Sequence, residues 1–331
     1  MHQTSELTDS AFRLINQIGT GSFSSVKLAI DPFGRYVALK KLFWTNSPDR
    51  IIKEMNWLYH LDHPNIVKIL GAYRKEDEIT IVMEYVHHTP FRSLLSQFTP
   101  KLIKDYMYGL LSALAYIHSN GIIHRDVKPA NFLFDHTTGK GVLIDFGLSE
   151  EDHYISTAES EPKVNVTKED FTNDLYYPHL CMNRKRMTAN RAGTRGFRAP
   201  EVLLGVRNQS SKIDIWSAGV TFLSILTKRY PFFRSPNDQT AICEIAVIFG
   251  NSRLNQAVQQ LHRFILFPDE QPGFELRDLV HKLNPSIDNM NIEESAYDLL
   301  QRLLEPAVDQ RITAEEALDH PYFNNYEPPQ D

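Results

Sequence analysis

Two short strings in the middle of the chain carry the residue types that phosphoryl transfer requires. The first is H-R-D-V-K-P-A-N at 124–131, and the second is I-D-F-G at 144–147. Phosphoryl transfer depends mostly on positioning and on stabilising charge, so a few acids, an amide and a cation are enough when they are held tightly. Two such strings in this order, a short strand-like stretch apart, indicate a single active site.

Each polar residue of these strings has a role that follows from its chemistry. Asp126 is placed to orient the attacking hydroxyl, and Lys128 is placed to neutralise charge on the moving phosphoryl group. Asn131 and Asp145 offer amide and carboxylate oxygens, which Mg²⁺ prefers. The expected chemistry is therefore magnesium-assisted transfer of a phosphoryl group to a hydroxyl.

A glycine-bearing segment and a strand lysine lie upstream. G-T-G-S-F-S-S-V spans 19–26, and by itself such a string is equally typical of a hairpin turn. V-A-L-K places Lys40 where it can reach the α- and β-phosphates of a nucleotide, whereas strand alternation sends Lys41 to the opposite face. Glu54, in a helix-period stretch, is the expected ion-pair partner of Lys40. If its helix swings out, Lys40 loses its anchor, so this helix is the expected switch of activity.

The segment I-V-M-E-Y-V at 81–86 is expected to present backbone groups to an adenine ring. Apolar side chains would hold the ring on both faces, and Met83 would close the back of the pocket. The same apolar residues are also typical of plain core packing, and both interpretations can hold together. The expected nucleotide-binding residues are Ile18, Gly19, Thr20, Gly21, Ser22, Phe23, Ser24, Val26, Ala38, Lys40, Met83, Glu84, Val86, Leu133 and Asp145.

The hydrophobic pattern predicts which elements position these residues. Alternation predicts strands over 12–18, 26–30, 36–42, 66–70 and 79–85, and helical periodicity predicts helices near 51–58 and over 102–118, 211–226, 293–304 and 314–319. The predicted fold is α+β with two lobes: a small five-stranded antiparallel β lobe with one main helix, and a larger, mainly α lobe. The catalytic strings are expected at the seam, where ligands usually bind.

Composition limits the classes of partner. The chain has 331 residues and a net charge of −6, which argues against bulk nucleic-acid binding as the main task. Two cysteines, Cys181 and Cys243, are too few for a disulfide framework and favour a reducing compartment. The N-terminus has no signal-peptide core, and the apolar runs are too short to span a bilayer, so no membrane partner is expected.

Further strings make the chain similar to eukaryotic protein kinases over about residues 12–323. They are R-A-P-E at 198–201, D-I-W-S-A-G at 214–219 and D-Q-R-I-T at 309–313. The resemblance implies ATP and Mg²⁺ as cofactors, a brace from Asp214 to the catalytic loop, and an ion pair between Arg311 and Glu201. The implied catalytic residues, serine/threonine rather than tyrosine type, are Asp126, Lys128, Asn131, Lys40, Glu54 and Thr194. The implied borders are a tail over 1–11, an N-lobe over 12–83, a hinge over 84–90, a C-lobe over 91–323 and a tail over 324–331.

One subfamily matches further. Ser24 replaces the third glycine of the phosphate loop, as in the cell-division-cycle-seven kinases, and R-A-G-T-R-G-F-R-A-P-E-V-L at 191–203 and the string over 208–224 continue the likeness. That resemblance implies an activator subunit, phosphorylation of the MCM helicase, initiation of DNA replication and a nuclear location, with the cytoplasm as the alternative location. The remaining insert, over 151–190, is either a surface loop or a docking segment for the activator or the substrate.

Three arginines bear on the substrate. Arg191, Arg195 and Arg198 lie in the segment that would receive the residue after the target, and an arginine cluster favours acid or phosphate there. Some of the three could instead pair with internal acids. Two other functions stay open: a different acidophilic kinase, similar to casein kinase two and independent of an activator, and a pseudokinase scaffold. Every charged catalytic position is filled, which disfavours the scaffold.

Overall fold

The computed structural model describes residues 11–21, 24–43, 48–76, 78–152, 192–261, 263, 265, 267 and 269–329. The chain divides into two compact units. The first comprises Met1–Ile117, Pro129–Ser149 and Tyr326–Asp331, and the second comprises His118–Lys128 and Glu150–Asn325. The first unit holds a five-stranded antiparallel sheet and the second is mainly helical, which confirms the predicted α+β fold class.

The strands that the structure describes are numbered β1 to β9 along the chain. They span Arg13–Thr20, Ser24–Ile30, Tyr36–Leu42, Ile69–Lys75, Glu78–Glu84, Ile122–Ile123, Phe132–Asp135, Lys140–Leu143 and Glu150–Glu151. The large sheet has the order β1-β2-β3-β5-β4, while β6 pairs with β9 and β7 with β8. Val37 and Leu39 of β3 belong to a buried apolar cluster on one face of the sheet. Strand alternation therefore turns Ala38 and Lys40 to the other face.

One predicted strand is wrong in its position. The strand expected over 66–70 begins at Ile69, which is the first residue with a partner in the ladder to β5. Ile66 instead forms an isolated bridge with Leu143, and the Val67 N–H donates to the Leu143 carbonyl at 3.0 Å. A short apolar run in the sequence reports burial, but it does not report which strand the run will pair with. The strand predicted over 36–42 matches β3 at both ends, and the other three differ from their predicted ends by at most two residues.

The α-helices that the structure describes are numbered α1 to α10. They span Pro48–His60, Phe91–Leu94, Pro100–Ser119, Pro200–Leu203, Lys212–Thr227, Asp238–Phe249, Asn251–Gln259, Leu276–Leu283, Glu294–Leu303 and Ala314–Leu318. Short 3₁₀ helices span Pro129–Asn131, Pro285–Met290 and Pro321–Phe323. The predicted helices are confirmed as α1, α3, α5, α9 and α10. Within the described ranges, none of these helices is long and apolar enough to cross a membrane.

Aromatic packing in the first unit supports the segment that carries Asn131. The ring of Tyr106, on α3, lies 4.9–5.9 Å from four phenylalanine rings, counted between centroids. Two of these phenylalanines, Phe132 and Phe134, are on β7. Gly141 on β8 leaves room for Phe132, because a Cβ there would lie 2.2 Å from the Phe132 ring. This packing holds β7 directly after the 3₁₀ turn Pro129–Asn131.

Helix α5 forms the centre of the second unit. Every residue from Ile213 to Thr227 is buried, as the apolar sequence predicts. Its buried hydroxyls remain hydrogen-bonded, because each donates to the backbone carbonyl four residues earlier. These hydroxyls belong to Ser217, Thr221, Ser224 and Thr227. The helix therefore buries polar residues without losing their hydrogen bonds.

Candidate active site

Lys40 is buried in the first unit and pairs with one buried and one partly exposed carboxylate. Its ammonium Nζ lies 2.6 Å from Oε1 of Glu54 on α1 and 2.8 Å from Oδ1 of Asp145. Burial alone would lower the pKa of Lys40, but the two carboxylates outweigh it and raise that pKa above its ordinary value. The expected pair between Lys40 and Glu54 is present, so α1 lies in the position that anchors the lysine.

The backbone at Asp145 is held in an uncommon conformation. Its φ of +67° lies in the left-handed region, which costs a residue other than glycine about 1 kcal/mol or more. The next residue, Phe146, is only 1% exposed and anchors the turn. A Cβ at Gly147 would lie 3.4 Å from both Asp145 Oδ1 and Glu54 Oε2. The turn thus keeps the Asp145 carboxylate beside the ammonium of Lys40.

Asn131 is brought close to Asp145 by the backbone. It is 5% exposed, and its carbonyl accepts the N–H of Ile144 at 2.9 Å. One amide and one carboxylate fit Mg²⁺, which binds proteins through one or two oxygen ligands and takes the rest from phosphates and water. The residues present therefore suit the magnesium–nucleotide complex that the sequence predicts.

The other expected nucleotide-binding residues also belong to the first unit. In the sheet register, Gly19 on β1 pairs with Val26, Val26 with Lys40, and Ala38 with Met83. Ala38 and Lys40 share one face of β3. Ile18 and Thr20 lie on β1, Ser24 on β2 and Leu133 on β7, while Glu84 ends β5 and Val86 comes just after it. The Gly21 N–H donates to the Ser24 carbonyl at 2.8 Å. Ser22 and Phe23 lie outside the described residues.

Three side chains of the second unit form a compact hydrogen-bonded group. Oδ1 of Asp126 accepts the Thr194 N–H at 2.8 Å and the Thr194 hydroxyl at 2.6 Å. Lys128 Nζ donates to Asp126 Oδ2 at 2.7 Å and to the Thr194 hydroxyl oxygen at 2.8 Å. Both carboxylate oxygens of Asp126 are therefore held, which fixes the direction in which the carboxylate points.

Asp214, in the first turn of α5, holds the backbone before Asp126. Its two carboxylate oxygens accept the N–H groups of His124 and Arg125, each at 2.8 Å. His118 Nε2 lies 3.0 Å from Oδ2 of the same carboxylate. Burial would raise the pKa of Asp214, but the hydrogen bonds and charges of His118 and His124 outweigh it and lower that pKa.

The sequence did not predict the contacts of two residues in this arrangement. Gly193 has a φ of +98°, and a Cβ there would lie 2.5 Å from the Arg125 carbonyl oxygen, so only glycine fits beside the catalytic loop. His118 was missed as a partner of Asp214. The only signal for His118 was its place as a polar residue at the end of the apolar helix α3.

The structure describes two of the three predicted arginines, and their contacts differ. Arg198 is engaged internally: Nε and Nη2 donate to the Gly193 carbonyl at 3.0 and 2.8 Å, and Nη1 donates to Asp238 at 3.1 Å. Arg195 is exposed, and its Nη1 donates to the Pro236 carbonyl at 2.6 Å. Arg191 lies outside the described residues, as does the predicted insert beyond residue 152.

The model of the protein kinase domain matches residues 12–323. Together with the sheet, the Lys40–Glu54 pair and the Asp126 group, this match defines the class: the chain belongs to the protein kinase family.

Curated relatives place the chain more narrowly. It is 42% identical to the probable cell division control protein 7 homolog 1 of Encephalitozoon cuniculi, over 94% of this chain and 91% of the relative. It is 37% identical to the cell cycle serine/threonine-protein kinase hsk1 of Schizosaccharomyces pombe, over 94% and 72%. It is 26% identical to the human cell division cycle 7-related protein kinase, over 96% and 90%. The chain is a cell cycle serine/threonine protein kinase of the cell-division-cycle-seven subfamily, and it uses ATP.

Proposed function

We propose that the two groups of residues divide the work of phosphoryl transfer. Lys40, anchored by Glu54, would bind the α- and β-phosphates of ATP, and Asn131 and Asp145 would hold magnesium. Bound magnesium would supply charge stabilisation to the phosphates. Asp126 would orient the substrate hydroxyl, and Lys128 and Thr194 would order the transfer site. The observation that carries this proposal is the Asp126 carboxylate, whose two oxygens are both held by Lys128 and Thr194.

The proposed substrate is a serine or threonine followed by an acidic or phosphorylated residue. Arg195 supports this preference, because its guanidinium is exposed and planar and can bind two carboxylate or phosphate oxygens. Arg198 can contribute less than the sequence suggested, since its guanidinium already binds Gly193 and Asp238. Arg191 remains the second arginine proposed to bind the acidic residue of the substrate.

The proposed biological role is to trigger DNA replication in the nucleus by phosphorylating the MCM helicase with an activator subunit. The names of the relatives, which refer to cell division and the cell cycle, support a role in that process. The subfamily resemblance of the strings at 191–203 and 208–224 supports the helicase substrate and the activator.

Transfer of labelled phosphate from Mg-ATP to a serine/threonine peptide array tests the roles and the substrate class. Wild type should label peptides with an acid after the target, and Asp145→Asn should lose at least about 100-fold in rate with an unchanged melting temperature. Wild-type turnover in Asp145→Asn would contradict the magnesium assignment. Full activity of the isolated chain would favour the activator-independent, casein-kinase-two-like alternative.

Alanine variants of Arg195 and Arg198 test whether Arg195 binds the acidic residue that follows the target serine or threonine. Arg195→Ala should raise KM for acidic peptides about tenfold and leave KM for neutral peptides unchanged, because only the former lose a charge-assisted contact. Arg198→Ala should instead lower the melting temperature, since it removes internal hydrogen bonds. A KM that rises equally for acidic and neutral peptides in Arg195→Ala would refute the assignment.

A further inference from the structure

The residue before Asp126 is Arg125, a buried arginine whose positive charge is paired with a carboxylate of the same chain. The Arg125 side chain is 5% exposed, and a buried guanidinium requires partners. Nη1 of Arg125 donates to the carboxylate of Glu150, and Nη2 donates to the side-chain oxygen of Gln209. The cation is thus paired with a carboxylate five residues after Asp145.

Both partners of Arg125 are held by their own surroundings. Glu150 lies on β9 and pairs with Ile123 of β6, two residues before Arg125, so the strand pairing sets its position. Gln209 is buried, and its Nε2 donates to the Val206 carbonyl at 2.7 Å. The Glu150 carboxylate and the Gln209 amide therefore have fixed positions beside the Arg125 guanidinium.

Contacts to both the backbone and the side chain of Arg125 fix the residue that precedes Asp126. The N–H of Arg125 is bonded to Asp214, and its carbonyl faces Gly193. The φ of Arg125 is +68°, an uncommon conformation that the surroundings must maintain. Glu150 and Gln209 secure the far end of the same residue. In many kinases this arginine is secured by a phosphate on the activation segment instead.

We propose that Glu150 is a positioning residue for phosphoryl transfer, which supplies from the chain the anion that an activation-segment phosphate supplies elsewhere. It acts on Asp126 through Arg125. Transfer by this kinase then does not depend on phosphorylation of its activation segment. The proposal rests on the role proposed above for Asp126.

Three variants of the full chain, all treated with a protein phosphatase, test this positioning role. Glu150→Gln removes the charge at nearly constant size, Glu150→Asp keeps the charge, and Glu151→Gln is the matched control on the exposed neighbour in β9. The readouts are kcat, KM for ATP, and amide hydrogen exchange over residues 122–128. Glu150→Gln should lower kcat at least about tenfold with KM for ATP within about twofold, because misplaced catalytic groups slow the chemical step.

Amide exchange over 122–128 should become faster in Glu150→Gln, Glu150→Asp should recover part of the lost kcat, and Glu151→Gln should match wild type. A kcat for Glu150→Gln within twofold of wild type, or loss of wild-type activity on phosphatase treatment, overturns the proposal. If wild type transfers no phosphate at all, either the activator is missing or the chain is a scaffold and the proposed function fails, and the exchange readout still decides on Glu150. Unchanged exchange in Glu150→Gln would then overturn this inference as well.

Discussion

Lys40 and Lys41 show how one step along a strand changes the role of a charge. Lys40 is buried with Glu54, whereas Lys41 on the opposite face pairs at 2.5 Å with Glu78, and both members of that pair are more than a third exposed. Solvent-exposed pairs contribute little to stability, but removing one partner of a buried pair leaves an uncompensated charge. The two lysines should therefore respond very differently to the same substitution.

Lys40→Met is expected to lower the free energy of unfolding by about 3 kcal/mol, because the buried Glu54 carboxylate loses its main counter-charge. Lys41→Met, the matched control, should change it by less than about 1 kcal/mol. Urea unfolding of both variants measures the difference. Equal effects in the two variants would mean that Glu54 does not depend on Lys40.

At the scale of elements, one carboxylate connects helix α5 to the catalytic loop. Asp214 lies in the first turn of α5, where an acid also suits the helix dipole, and it accepts the two backbone N–H groups that precede Asp126. Its pKa is lowered in the folded chain. A lowered pKa means that its contribution to stability is present above the ordinary value near 4 and is lost as pH falls through the folded value.

Asp214→Asn should lower the free energy of unfolding by about 2 kcal/mol at pH 7, because the amide leaves buried donors unsatisfied. The difference from wild type should shrink as pH falls below about 4, because the unfolded wild-type chain then binds a proton on Asp214 that the folded chain binds only at lower pH. Denaturant unfolding from pH 7 down to pH 3 measures this, with the exposed Asp288→Asn as control. A difference in the free energy of unfolding that stays constant with pH would show that the charge of Asp214 does not contribute to stability.

At the scale of the whole molecule, an ion pair joins parts of the second unit that are far apart in sequence. Arg311 and Glu201 are 110 positions apart and make two contacts, at 2.7 and 3.1 Å, with both side chains almost fully buried. The guanidinium also donates to the Lys212 carbonyl and lies 5.2 Å from the Trp216 ring. A single side chain thus contacts α4, α5 and the segment before α10.

A double-mutant cycle tests this long-range connection. Arg311→Met and Glu201→Met should each lower the free energy of unfolding by about 3–5 kcal/mol, because each strands a buried charge. The double variant should lose clearly less than the sum, since no charge is then left unpaired. Urea unfolding of the four proteins measures the coupling. Strictly additive losses would contradict a direct pair.

Much of the fold could be predicted because local periodicity reports burial. The alternation at 36–42 matches β3 residue for residue, and the apolar run at 211–226 is the buried helix α5. The residues at 66–70 show where this reasoning ends. They are apolar enough for a strand, yet Ile66 pairs with Leu143 rather than with the sheet. The choice of partner depends on packing across 77 positions of sequence, which a local pattern does not contain.

For the site, the sequence by itself determined which residues carry the chemistry, because Asp126, Lys128, Asn131 and Asp145 lie within two short strings. It also separated Lys40 from Lys41 by strand alternation. Only the tertiary structure decided that Arg198 forms an ion pair with Asp238 inside the protein, since the two residues are 40 positions apart. The physical reason is that spacing along a strand or loop sets direction locally, whereas the partner of a long charged side chain is chosen by whatever the fold brings within about 3 Å.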